Sequence, residues 1–136
     1  MKHRLFSLAL ALSLVLLVHA GDLEESQRVM KAMKTINDSL RKNLEAKAAD
    51  ALAADARKMV DLFAETETFW AHKNAPDAVK FAQNGKAAAG ELASAAANGN
   101  LDAAGAAAKK MGGSCQSCHN QYREKAPDGS YRIKGI

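Results

Sequence analysis

The sequence predicts an all-α chain folded as an antiparallel up-and-down four-helix bundle, and three observations carry that prediction. From residue 22 onward Ala, Lys, Glu, Leu and Met dominate, all strong helix formers, and almost nothing favours strands. Apolar residues recur at three- and four-residue spacing, the period of a helix with one buried face. The breakers are few and divide the chain into four segments whose short connections set neighbouring helices antiparallel.

The first segment, about 22–45, places Val29, Met30, Met33, Ile36, Leu40 and Leu44 at helical spacing. The second, about 47–72, does the same with Leu52, Ala56, Met59, Val60, Phe63 and Phe69. The third opens at Pro76, a residue suited to a first helical turn, and runs to about Ala97 with Val79, Phe81 and Leu92 as its large apolar residues. Asn98-Gly99-Asn100 is a helix stop followed by an N-cap, so the fourth segment runs from Leu101 to about Lys125. Pro127-Asp128-Gly129 ends it as a turn, and 130–136 read as a short, poorly held tail. Alanine tracts at 87–89, 95–97, 103–104 and 106–108 let helices approach closely but bury little apolar area each. A bundle built this way has room for something else to fill its centre. Trp70, Phe63 and Phe81 read as packing aromatics, and Tyr122 as a bundle-edge residue whose hydroxyl reaches water.

Ahead of these helices stand Met1, Lys2, His3 and Arg4, an apolar run from Leu5 to Val18, and Val18-His19-Ala20 before the acidic Asp22-Leu23-Glu24-Glu25. A basic head, a short apolar core and a small residue before the cut describe an export leader; the alternative is an uncleaved anchor, for which the run falls short of the ~20 residues that span a bilayer. The expected organisation is a signal peptide at 1–20, a helical domain at 21–126 and a tail at 127–136, with no integral membrane segment in the mature chain. Removing Lys2 and Arg4 from 19 basic residues leaves 17 against 15 acidic ones, interspersed along the helices without a block of like charge. That pattern implies no nucleic-acid or anionic-membrane partner.

The chemistry concentrates in "CQSCH", residues 115–119, which holds both cysteines of the chain. On a helix Cys115, Cys118 and His119 stand at i, i+3 and i+4 and share one face. A structural zinc site asks for four ligands, and outside the leader the chain offers two Cys and two His, the second being His72. A thioredoxin-like dithiol belongs at a helix N-terminus beside a strand, whereas this motif lies near a helix C-terminus. The third reading is c-type haem attachment, in which thiols one turn apart add to the two vinyl groups of a porphyrin edge and the adjacent imidazole reaches the iron. Export and the lack of other cysteines favour this one: a single covalent haem c.

"CQSCHNQYR", residues 115–123, resembles the C-terminal motif of the class II cytochromes c, the group containing cytochrome c-prime and its low-spin relatives. The resemblance extends over 22–125 in helix order and motif position, and departs from the family pattern in a short first connection, the alanine content and the appended "APDGSYRIKGI". It implies Cys115 and Cys118 as thioether anchors, His119 as axial ligand, and Arg123 beside a haem propionate. It also implies that the first helix faces the distal side of the iron, where a methionine gives a six-coordinate electron carrier and an apolar residue leaves the iron five-coordinate. "RVMKAMKTI", residues 28–36, offers Met30 and, as runner-up, Met33; no protein ligand and His72 stay open, and each methionine can also be ordinary core.

No nucleophile–base pair or carboxylate pair is identifiable, so the expectation is not an enzyme but a periplasmic electron-transport protein that meets redox partner proteins, with a homodimer possible. The contrasting expectation is a five-coordinate protein that binds nitric oxide or carbon monoxide, and a third is a haem-stabilised interaction subunit.

Overall fold

The computed structural model describes the backbone of residues 2–134 and the side chains of residues 21–134. The side chains of the expected leader, 1–20, lie outside the described residues, as do Gly135 and Ile136. Four helices follow in order: α1 (Lys2–Glu45), α2 (Ala49–His72), α3 (Pro76–Ala97) and α4 (Leu101–Tyr122). A hairpin closes the chain, β1 (Arg123–Lys125) pairing antiparallel with β2 (Tyr131–Ile133). No helix of the described residues is long and apolar enough to cross a membrane.

The three helix connections are copies of one device. Each helix ends on a residue with positive φ, Lys47 at 55°, Asn74 at 53° and Gly99 at 70°. The N–H of the next residue reaches back five positions: Ala48 to the Asn43 carbonyl, Ala75 to Trp70, Asn100 to Ala95. This is the Schellman closure, which satisfies orphan carbonyls at a helix end and reverses the chain within three residues. The residue that closes one helix also starts the next; only Asn100 caps with its side chain, accepting from the Ala103 N–H at 3.0 Å. Composition reveals the third copy, through Gly99, and hides the first two, in which Lys and Asn take the conformation that glycine favours.

Polar contacts fix the antiparallel registers. Between α1 and α2, Arg28 pairs with Glu65 and Lys73 with Asp22. The buried Asp55 carboxylate accepts from Ser39 Oγ at 2.5 Å, Asn43 Nδ2 at 2.9 Å and Lys58 Nζ at 2.8 Å. Between α2 and α3, Glu67 receives Gln83 and Lys86, and between α3 and α4, Lys110 meets Glu91 at 2.7 Å.

Among the described residues, nine of the nineteen buried hydrophobic side chains are alanine, and the largest that are fully buried are Leu52, Met59, Leu92 and Met111. In α3 the inward stripe is Ala78, Ala82, Gly85, Ala88, Ala89, Leu92 and Ala96. Val79 and Phe81, expected inward for their size, are only half-buried. The reason is that α3 packs against both α2 and α4, and small residues allow that double approach. At Gly85 the fit is absolute: an added Cβ would lie 2.2 Å from the Phe63 ring. The bundle is not closed equally on all sides. α1 packs on α2 but barely approaches α4.

Two further expectations are corrected. α4 ends at Tyr122 rather than near Lys125, because Arg123 turns to extended backbone at ψ 134°. The tail, expected to be poorly held from 130, pairs as β2, with Arg123 opposite Ile133 and Lys125 opposite Tyr131. The Pro127-Asp128-Gly129 turn is present as read: Gly129 has φ 84°, and Asp128 Oδ1 accepts from the Ser130 N–H at 2.9 Å. Its role is to return the chain rather than to end its order.

Candidate functional site

The last turns of α4 present Cys115, Cys118 and His119, all half-buried, and both thiols are free. Cys115 packs against the core cluster in line with Met111 and Ala108, one and two turns earlier on the same helix face. Burial pushes the Cys115 thiol up. Burial, helped by Cys115 and Asp77, pushes Cys118 up to about 11. A thiol so held is almost wholly protonated at neutral pH, the opposite of the low-pKa cysteine that runs disulfide exchange. Burial, then the charge of Arg123, lowers the His119 pKa, so its imidazole is neutral and carries the lone pair that a metal requires. Among the described residues no group of three or more His, Cys, Asp or Glu side chains could hold a metal ion.

The last turn is held by α3. Tyr122 Oη donates to Asp77 Oδ1 at 2.8 Å and Gln121 Nε2 donates to the other oxygen, with Asp77 in the first turn of α3. These bonds, Tyr122 first, hold the Asp77 carboxyl below its ordinary value. The Tyr122 ring also lies 4.6 Å from the Trp70 ring at 48°. The expectation that this hydroxyl simply reaches water is therefore corrected: Tyr122 latches α4 to α3. Asp77 escaped the sequence reading; its signal was an acidic residue right after Pro76 at a helix start, where the partner cannot be read locally.

Facing α4 across the open side of the bundle is a cleft of about 200 Å³, lined by Asn37, Leu40, Arg41, Leu44 and Leu52 with Ala108 and Met111. Its α4 wall is the stripe that continues into Cys115. Its α1 wall contains Asn37 and Leu44, and Met30 lies seven positions before Asn37, so Met30, Asn37 and Leu44 lie almost along one line of the helix. The level follows from the contact of Leu44 Cδ2, 3.9 Å from where a Gly105 Cβ would stand. Fourteen positions back along α1 is Met30, and fourteen positions on along the antiparallel α4 is His119. Carried along two antiparallel helices of equal rise, that one contact extrapolates to similar heights for Met30 and His119.

Met30 is 38% exposed, whereas Met33 is 7% exposed within the core cluster. Arg123 is exposed at the end of α4, where its N–H bonds the His119 carbonyl and its guanidinium lies 4.2 Å over the Tyr131 ring. His72 is exposed in the last turn of α2.

A covalently attached porphyrin fits this donor set. Two free thiols one turn apart stand on the face that continues an apolar cleft, a neutral imidazole follows them, and α1 and α4 are parted on that side.

The sequence pattern described as Cytochrome C' matches residues 21–123. No individual curated protein matches. Among solved structures, cytochrome c' from Thermochromatium tepidum aligns with TM-score 0.65 at 23% identity, covering 82% of this chain and 94% of that one. A cytochrome c' described as having a ligand-controlled dimer dissociation aligns at 0.65 and 22%, covering 84% and 95%. A ferrous variant from Alcaligenes xylosoxidans with bound NO aligns at 0.59 and 19%, covering 75% and 94%. At these identities the structural likeness establishes the four-helix-bundle fold.

Proposed function

This chain belongs to the cytochrome c' family, whose members carry covalently attached haem c, and from that premise we infer that it is an exported, periplasmic monohaem carrier of single electrons rather than an enzyme. The observation that supports the reading is the Cys115–Cys118–His119 face of α4 beside a cleft whose α1 wall holds Asn37 and Leu44, on the helix line that Met30 shares. A Met30 thioether would offer the iron a second protein ligand beside the His119 imidazole, the ligand pair that suits one-electron exchange.

Each residue has a defined task in this reading. Cys115 and Cys118 hold the group by thioether bonds, which prevents its loss in an exported protein. His119 would supply a ring nitrogen to the iron, and burial, by lowering its pKa, favours the neutral form that binds metal. The Asp77 latch on Tyr122 and Gln121 keeps the last turn of α4 from fraying. The bound haem iron supplies one-electron exchange between its ferric and ferrous states. With His119 and Met30 both borne on helices, little would rearrange when the electron moves.

A second reading follows from the NO-bound relative and from the exposure of Met30. With Met30 turned to solvent, the distal side stays vacant and the protein captures nitric oxide or carbon monoxide. The relative with ligand-controlled dimer dissociation makes a homodimer part of that reading. Carbon monoxide added to the ferrous protein decides between the two. A slow or absent spectral change supports the carrier, and rapid conversion to a carbonyl complex overturns it.

A further inference from the structure

All of the hairpin after Arg123 lies beyond the span matched by the family, which stops at that residue. Paired residues of a hairpin share a face and successive ones alternate, so Arg123, Lys125, Tyr131 and Ile133 present one face, and Glu124 and Arg132 the other. On the second face the charges cancel, Arg132 Nε meeting Glu124 Oε1 at 2.7 Å. Asp128 is occupied in the turn, bonded to the Ser130 N–H and hydroxyl. The first face holds two cations, no carboxylate, and a tyrosine 54% exposed, which with Met30 makes up the exposed large hydrophobics among the described residues. Lys134 joins this end, its N–H bonded to the Tyr122 carbonyl at 2.9 Å and its Nζ reaching the Asn120 carbonyl at 3.4 Å. These contacts fold the hairpin back on the turn that carries Cys118 and His119.

We propose that this face of the hairpin docks the electron-exchange partner, and that the partner is a protein presenting an acidic surface. The inference rests on the electron-carrier reading. Tyrosine and arginine in a cationic patch are the residue types that concentrate binding energy at interfaces, and the positive field steers an anionic surface toward them. Arg123 on this face bonds through its N–H to the His119 carbonyl, so a partner seated here adjoins the residue that would hold the iron. In each transfer one electron passes, the ferric iron becoming ferrous as the partner is oxidised by one electron, or the reverse.

The test uses the full haem-loaded protein, reduced, with two small oxidants as probes: hexacyanoferrate(III), an anion, and tris(phenanthroline)cobalt(III), a cation. Lys125→Glu changes the local charge by two, which at ~10 Å from a trivalent anion and 0.1 M ionic strength slows oxidation by hexacyanoferrate about fivefold. The cobalt complex accelerates by a similar factor, and both effects shrink as salt rises. Lys42→Glu, the same charge change at the far end of α1, is the control and leaves both rates within about twofold. Equal effects from the two variants overturn the docking face while leaving the carrier intact. If neither oxidant takes the electron, both the carrier reading and this inference fail. Lys125-dependent sedimentation with phosphatidylglycerol vesicles, alongside unchanged oxidation rates, assigns the face to a membrane surface and also overturns the proposal.

Discussion

Met30 and Met33 are one turn apart, and replacing each by leucine and by alanine separates the ligand from the core. Leucine removes the sulfur while conserving volume, at a packing cost under about 1.5 kcal/mol at either site. Alanine removes three heavy atoms. For Met33, 7% exposed in the core cluster, the lost transfer of about 0.8 kcal/mol per atom plus a residual cavity gives about 3 kcal/mol. For Met30, 38% exposed, the same arithmetic gives about 1.5 kcal/mol or less, apart from any bond to iron. The expected pattern is therefore crossed. Met30→Leu loses the sulfur-to-iron absorption band of the ferric protein and opens the ferrous iron to carbon monoxide, with little change in packing. Met33→Leu is nearly silent, and Met33→Ala keeps the band but lowers the melting temperature by about 10 °C, taking roughly 3–4 °C per kcal/mol for a domain of this size. Absorption spectra and thermal unfolding followed by circular dichroism read the two effects independently. If Met33→Leu rather than Met30→Leu abolishes the band, the α1–α4 register deduced from Leu44 and Gly105 does not govern ligation, and the reasoning is refuted.

The remaining expectations concern the bundle that carries the site. A Cys115→Ala/Cys118→Ala chain, unable to attach haem, loses fixed side-chain packing at ambient temperature because so much of its core is alanine; near-ultraviolet circular dichroism flattens, and a cooperative melt at the holoprotein's temperature contradicts this. Gly85→Ala gains about 1 kcal/mol of helix propensity but meets the Phe63 ring, with overpacking of about 1–3 kcal/mol, so it destabilises on balance; adding Phe63→Leu relieves the overlap, and a double-mutant cycle showing no coupling contradicts the contact. Burial pushes the Asp55 carboxyl up, but bonds from Lys58, Ser39 and Asn43 outweigh it and hold its pKa below the usual carboxylate range. A depressed folded-state pKa stabilises at pH values above the unfolded carboxylate value of ~4 and is lost as pH falls through the lower folded one. Asp55→Asn should therefore flatten the acid limb of stability against pH below about 4, and an unchanged limb removes Asp55 from that role.

What the sequence settles here is local. The helix period, Pro76 and the Asn98-Gly99-Asn100 stop act within a turn or two of chain, and the covalent logic of Cys115, Cys118 and His119 needs only that they share a helix face. Relations between helices are not local. Val79 and Phe81 outrank the alanines of α3 in size, yet the small stripe is buried, because two neighbouring helices must approach that surface at once. Met30 and Met33 are equivalent by period alone; the rotation of α1 leaves Met30 partly exposed on the line of Asn37 and Leu44 and puts Met33 in the core. The Asp77 latch and the hairpin were hidden for the same reason, since a three-residue strand has no period to detect and a hydrogen bond across 45 positions leaves no trace in either local segment. Chain-local chemistry was written in composition and spacing, while partnership across the bundle was decided by packing, which depends on the shape of every neighbour together.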